Sequence, residues 1–262
     1  LTEFVRSAAL PHLEARRSCQ ENSCYRPHTH DAFSIGIIEA GTSVFAGPPS
    51  GSVRLEPGDV IVIAAGQVHQ CNPDNGTWRY QMIHTDQDWA VPLAATDRAV
   101  ALFSGVTVLR HLDLHHSAIA WTDLIFAGES AERIESGFRG LMNELGHAAP
   151  EYSVTGGTDL TLLDRLRPVL DRLRNDESNP SLDELSVLAG LTKYELVRAV
   201  KRATGLAPLA WRQNARIQRA RQLLRDGHPI ADTAHELGFT DQSHFHRVFR
   251  AHVAASPGTY RA

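Results

Sequence analysis

Between Arg26 and Ile83 short apolar runs alternate with turn residues: Phe33 to Ile38, Ala40-Gly41, Gly47-Pro48-Pro49-Ser50-Gly51, Pro57-Gly58-Asp59, Val60 to Ile63, and Asn72-Pro73-Asp74-Asn75-Gly76. Short strands at regular spacing with Gly/Pro punctuation predict a β-barrel or sandwich. Beyond Trp89 the spacing turns helical. Ile134, Phe138, Leu141, Met142 and Leu145 fall at i, i+4, i+7, i+8 and i+11, one stripe of a helix. Such a stripe packs into a core or faces a second copy of the chain, and a dimer face is the hypothesis taken forward. Pro150, Gly156 and Gly157 mark a linker over residues 151–158. From Asp159 the pattern is helical throughout: Leu160 to Arg174, Leu182 to Ala189, Lys193 to Thr204, Pro208 to Arg225, Ile230 to Leu237 and Asp241 to Val253. The expected architecture is α+β with two domains, residues 1–150 and 159–262.

The helical half repeats itself. A shift of 49 residues lays Leu196 on Phe245, Arg198 on Arg247, Val200 on Phe249, Lys201 on Arg250, Pro208 on Pro257 and Trp211 on Tyr260. In each copy a helix ends at glycine, Gly190 or Gly238, and another begins after Thr192 or Thr240. Glycine accepts the positive φ that follows a helix terminus, and a threonine oxygen can cap the orphan amides of the next. Thr192 to Glu195 and Ser181 to Glu184 have the capping-box spacing. Helix, tight turn and helix, twice, predict a tandem helix-turn-helix bridged by the Pro208–Arg225 helix, able to set two recognition helices in successive major grooves.

Charge sharpens this picture. The net charge of −4 divides into 12 Lys+Arg against 5 Asp+Glu for residues 190–262, and 14 against 25 for residues 1–189. A basic segment supplies the phosphate neutralisation that carries sequence-independent DNA affinity. Lys193, Tyr194, Gln242, Ser243 and His246, near the helix starts, are candidates for base edges. Lys201, Arg202 and Arg250, further along, suit phosphates. Arg198 and Arg247 either contact DNA or brace the preceding helix through its acidic residues. No apolar run approaches the roughly 20 residues of a bilayer span, no leader pattern opens the chain, and Cys19, Cys24 and Cys71 have no scaffold spacing, so a soluble, cytoplasmic protein is expected.

The run Leu237-Gly238-Phe239, Ser243 to Arg250 and Ser256-Pro257-Gly258-Thr259-Tyr260-Arg261 resembles the closing signature of AraC/XylS-type regulators. The stretch Gly205 to Trp211, with Arg216, Ala220, Leu223 and Leu224, is similar to that family's linker helix. Ala254 stands where the family usually has glycine. The resemblance implies a DNA-binding transcriptional regulator, with double-stranded DNA and RNA polymerase as partners. Pro27-His28-Thr29-His30, Gly41, and Pro57-Gly58-Asp59 to His69 resemble the cupin-type barrel that receives an effector in many members.

Within that barrel, His28 with His30, and His69 with Cys71, are expected on the same faces of two strands. Three imidazoles and a thiol suit a divalent transition metal, zinc first. Metal-binding cupins carry a Glu four or five residues after the second His, where this chain has Ser34 and Ile35; Glu39 comes later. Pocket-lining or core histidines are therefore the other reading. Phe33, Glu39, Phe45, Trp78 and Tyr80 are candidates to line an effector pocket. The main expectation is an effector-responsive regulator rather than an enzyme, with monomer or homodimer left open. The alternative is a metal-dependent cupin enzyme with a passenger helical domain, for which no carboxylate stands at the expected spacing.

Overall fold

The computed structural model describes residues 2–21, 25–47, 51–74, 76–155, 159–176 and 178–261. Two compact units emerge: residues 1–24 with 29–156, and Tyr25–His28 with residues 157–262.

The first unit is strand-rich. Its strands are β1 (Thr2–Arg6), β2 (Glu14–Glu21), β3 (Phe33–Ala40), β4 (Ser43–Ala46), β5 (Ser52–Leu55), β6 (Asp59–Ile63), β7 (Gln70–Pro73), β8 (Thr77–Thr85), β9 (Gly105–Arg110) and β10 (Tyr152–Thr155). Seven form one sheet in the order β1-β2-β8-β3-β6-β9-β10, and β5-β4-β7 form a second. Short helices α1 (Gln87–Ala90) and α2 (Asp97–Ala101) lead to the longer α3 (Leu112–Phe126) and α4 (Ala131–His147). Strand alternation sorts the residues. Phe33, Ile35 and Ile37 of β3, Val60 and Val62 of β6 and Ile83 of β8 face outward into a core shared with α3 and α4. Ser34, Gly36 and His84 take the opposite, inner face. Asp59, fully buried in the Pro57-Gly58-Asp59 turn, accepts Nε and Nη2 of Arg110 at 2.8 and 3.1 Å and the Glu56 amide at 2.8 Å. That tie fixes β6 to β9.

Two expectations change here. The α4 stripe is core: Ile134, Phe138, Leu141, Met142 and Leu145 are all 2% exposed or less, packed with α3 and the sheet. An outward apolar sheet face needs a cover; α3 supplies it, and α4 buries this stripe against α3 and the same core, so the stripe is no dimer face. The supposed linker contains β10, paired antiparallel with β9 from Tyr152↔Val108 to Thr155↔Gly105. Alternation in a Tyr-Ser-Val-Thr run won over the flanking Pro and Gly signals. Residues 156–158 lie outside the described residues.

The second unit is helical: α5 (Leu160–Asn175), α6 (Leu182–Ala189), α7 (Lys193–Thr204), α8 (Pro208–Arg225), α9 (Ile230–Glu236), α10 (Gln242–Val253) and α11 (Pro257–Arg261). Leu166 and Val169 of α5, Leu185 of α6, and Leu196 and Val200 of α7 make the first helix-turn-helix core. The second is aromatic, with Phe239, Phe245, Phe249 and Tyr260 in ring contact at 5.1–5.6 Å. Both capping boxes form, at Ser181 with Glu184 and Thr192 with Glu195. Gly190 and Gly238 hold φ of 62° and 66°. In the second copy, however, Asp241 and not Thr240 caps the helix, accepting the His244 amide at 2.6 Å, while Thr240 Oγ1 meets His244 Nδ1. The turn after Gly238 is one residue longer than that after Gly190, which moves the cap along. Ala254 ends α10 at φ 50°, the conformation Gly205 adopts after α7 at φ 75°. Alanine there adopts the left-handed conformation that glycine takes at no steric cost.

Candidate functional site

In the helical unit both recognition helices turn a polar face outward. On α7, Lys193, Tyr194, Arg198, Lys201 and Arg202 are exposed while Leu196 and Val200 are buried. On α10, Gln242, Ser243, Arg247 and Arg250 are exposed and Phe245, Val248 and Phe249 are buried. Tyr194 is 84% exposed, an unusual position for an aromatic ring.

Not all of these cations are alike. Lys193 Nζ sits 2.7 Å from Asp183 Oδ1 on α6, and Arg202 Nη2 lies 3.5 Å from Asp159 Oδ2, the α5 cap. Arg198, Lys201, Arg247 and Arg250 make no hydrogen bond or ion pair with the described residues. Arg198 and Arg247 reach no carboxylate of the preceding helix within ion-pair distance, although each helps to hold a cap carboxyl of its own helix, Glu195 or Asp241, below the usual carboxylate range. His246 is half-buried, and its Nε2 is enclosed without a partner among the described residues. Only its other ring edge can be offered outward.

The histidines converge. β3 begins only at Phe33, and His28 and His30 lie in the segment before it, His28 in a single bridge. His28, His30 and His69 are buried, and one ligand atom from each lies within 4.8 Å of the others. Cys71 is not in that group. Burial without a compensating charge pushes its thiol up to about 12, so it stays protonated at neutral pH.

Hydrogen bonds fix which nitrogen of each ring is basic. His28 Nδ1 donates to the Arg26 carbonyl at 2.7 Å and His69 Nδ1 to the Gln67 carbonyl at 3.0 Å. A carbonyl only accepts, so Nδ1 carries the proton and Nε2 the lone pair. Burial holds His69 down at about 4, which keeps it neutral. His30 Nδ1 and His84 Nδ1 meet Ser34 Oγ at 2.9 and 2.8 Å, and the same hydroxyl is 3.3 Å from the Ala32 carbonyl. One hydroxyl proton cannot serve three acceptors, so at least one of these rings also presents Nδ1–H. His30 packs edge-on against both His69 and His84, with centroids 4.7 and 4.4 Å apart. Sequence reasoning missed His84, whose link to Ser34 comes from the β3–β8 register.

The pocket candidates separate into three groups. Phe33 belongs to the outward core, its ring 4.3 Å from Phe103, and does not line the interior. Glu39 is tied up by Arg79 at 2.9 Å and by Gln81. Phe45 stacks over His69, and Trp78 stacks on Tyr80 at 4.1 Å with the Arg16 guanidinium 5.3 Å from the Tyr80 ring. Trp78 Nε1 and Ser43 Oγ are buried without a hydrogen-bond partner among the described residues. Buried donors in that state are uncommon unless a ligand or water meets them.

Family comparison now decides what these two units are. Residues 10–149 match the AraC-like ligand binding domain and residues 185–262 a helix-turn-helix domain. The chain belongs to the AraC family of transcriptional regulators. Across 245 residues it is 30% identical to the uncharacterized HTH-type transcriptional regulator YbfI of Bacillus subtilis, covering 89% of this chain and 86% of that one. The arabinose operon regulatory protein of Escherichia coli is 24% identical over 222 residues, 79% of this chain and 72% of the other. Among solved structures, ToxT from Vibrio cholerae superposes with a TM-score of 0.57 at 12% identity, over 100% of this chain and 96% of ToxT. The fold is thus that of an AraC-type regulator, a cupin-like effector domain with a tandem helix-turn-helix. No helix among the described residues is long and apolar enough to cross a membrane.

Proposed function

We propose that α7 and α10 read DNA in the major groove, with Lys193, Tyr194, Gln242, Ser243 and the exposed edge of His246 at bases. Arg198, Lys201, Arg202, Arg247 and Arg250 hold phosphates. The observation behind this reading is that Arg198, Lys201, Arg247 and Arg250 are exposed, with no hydrogen bond or close ion pair to the described residues, at matching positions of two recognition helices. Exposed cations repeated on two such helices suit an external polyanion. Lys193 exchanges Asp183 for a base acceptor, a small cost because an exposed pair is worth about 0–1 kcal/mol. Lys201→Ala is expected to weaken binding to all sequences about equally and to flatten the salt dependence. Gln242→Ala is expected to relax preference at one base pair, with a loss of about 1–3 kcal/mol on the matched site alone. Binding measured on matched and random duplexes over a salt series distinguishes them, and equal losses for Gln242→Ala on both duplexes remove its base-reading role. RNA polymerase and a second copy of the chain complete this reading as partners. That its relatives are transcriptional regulators supports a chain that acts by occupying promoters.

The barrel receives the signal. His28, His30 and His69 suit a divalent transition metal, zinc first, because rings whose Nδ1–H is tied to a carbonyl have the tautomer that metal-bound histidines adopt. A bound ion would supply a fixed positive charge. Zinc in hundredfold excess over its Kd is expected to raise stability by about 2.7 kcal/mol, and His69→Ala to abolish that rise. Elemental analysis of the purified protein and melting curves with zinc and chelator check it. An unchanged melting temperature removes the metal and leaves an organic effector, which the unpartnered Trp78 Nε1 and Ser43 Oγ favour; ToxT has been crystallised bound to an unsaturated fatty acid.

A further inference from the structure

We infer that Arg165 of α5, a helix that precedes the first helix-turn-helix, joins Arg198 and Arg202 of α7 in a pocket that grips one phosphodiester of the DNA backbone. The inference rests on the reading that α7 lies in the major groove.

A depression of about 400 Å³ opens between α5 and α7, with Arg165, Arg198, Arg202 and Glu195 at its rim and Leu191 and Ala199 in its wall. Three guanidinium groups thus face one carboxylate. That carboxylate is already engaged, because Glu195 Oε2 accepts the Thr192 amide at 2.9 Å and the Thr192 hydroxyl at 2.8 Å. Arg202 leans toward Asp159 at 3.5 Å, a long and exposed pair. Arg165 and Arg198 are exposed and have no hydrogen bond or ion pair with the described residues. Like charges gathered round one hollow repel each other, and an anion placed among them relieves that repulsion. Planar guanidinium forks lining one depression suit phosphate oxygens.

Helical geometry says which anion. Tyr194, Arg198 and Lys201 stand at i, i+4 and i+7, the strip that enters the groove, while Glu195, Ala199 and Arg202 lie one position further round toward α5. A helix roughly 10–12 Å across fills a groove about 12 Å wide, so its flank abuts the sugar-phosphate wall. The pocket occupies that flank and shares Arg198 with the groove face. A second feature makes the inference specific. At the 49-residue offset, Arg247 matches Arg198, but Asn214 and Ala251 stand where Arg165 and Arg202 do. The second unit therefore lacks the pocket, and the extra phosphate contact belongs to the α7 half-site alone.

The test uses the full chain and a duplex selected from random sequence by the wild-type protein. Arg165→Ala is expected to weaken binding about 3- to 10-fold at physiological salt and to make the slope of log K against log salt shallower by about one. Base preference should stay the same. Ethylation interference should lose one phosphate beside the α7 half-site and none beside the α10 half-site, and Arg165→Lys should recover part of the slope. Arg165 is exposed, so melting temperatures should match and a binding loss cannot be put down to unfolding; Arg165→Gln repeats the measurement should the alanine variant fold poorly. Unchanged affinity and slope, or an interference pattern altered at both half-sites, overturns the pocket while leaving the regulator reading intact. A wild-type chain that selects no duplex overturns that reading first, and the pocket with it.

Discussion

Leu141→Glu is expected to unfold the barrel domain rather than to split a dimer. Leu141 is 2% exposed and belongs to the cluster that α4 and α3 share with the outward sheet face, beside Ile134, Phe138, Met142 and Leu145. Removing a leucine from such a site costs about 2–5 kcal/mol through lost transfer energy and the cavity left behind. A carboxyl in its place must either stay charged without a partner or take up a proton, and either choice adds several kcal/mol. Against a total stability of about 5–15 kcal/mol, the domain has little left. Leu141→Met, which conserves volume, should cost less than about 1.5 kcal/mol. Circular dichroism melts and size-exclusion chromatography check the pair. A folded Leu141→Glu protein that has only changed its oligomeric state would return α4 to the surface.

This case marks what the chain discloses by itself. Helical periodicity along α4 is a local property and can be read directly; what covers the stripe depends on Phe33, Ile35, Val60 and Val62, roughly seventy to a hundred and ten residues earlier, whose outward direction is set only once the sheet register exists. Caps lie at the other extreme. Ser181 reaches Glu184, and Thr192 reaches Glu195, across three residues, so spacing alone specifies both boxes. The same reasoning misplaced the second cap at Thr240 because the repeat is offset by 49 residues at the helix and by 48 at the preceding glycine. Asp241 inherits the role of Thr192.

The candidate sites follow the same division. Exposed cations on α7 and α10 are legible because amphipathic spacing tells which side chains face away from the core. In the barrel, the motif residues His28, His30 and His69 were visible, yet Phe33 fell on the wrong face and His84 went unseen. Ser34 occupies the region where a metal-binding cupin has its carboxylate, and in this chain it ties two imidazoles, His30 and His84, through one hydroxyl. A pairing across fifty residues leaves no local trace. Arg165 was overlooked for a related reason, since its neighbour α7 is a tertiary and not a sequence neighbour.

Arg212→Ala is expected to lower the stability of the helical unit by at least about 1–3 kcal/mol, the cost of leaving a buried acceptor without its donor. Arg212 is 1% exposed, a long cation inside the protein. Its Nη1 donates to the Leu173 carbonyl at 3.3 Å, and Nη2 to the carbonyls of Asp176 and Ser178 at 2.8 and 2.5 Å. Leu173 and Asp176 end α5, where the last carbonyls have no helical donor and a cation complements the helix dipole. Arginine from α8 therefore closes α5 and ties it to the segment leading into α6. Alanine would leave three carbonyls short of a donor, that of Leu173 in the interior, and open a cavity. Arg212→Met restores volume without donors and should recover only part of the loss, whereas Arg212→Lys, with a single ammonium in place of a fork, should fall short of wild type as well. Because α5 packs on Leu196 and Val200 of α7, loosening it also loosens the groove-reading helix. DNA affinity should then drop together with the melting temperature across the three variants. Methionine matching arginine in stability would mean that the residue serves as packing alone and that α5 is closed by other means.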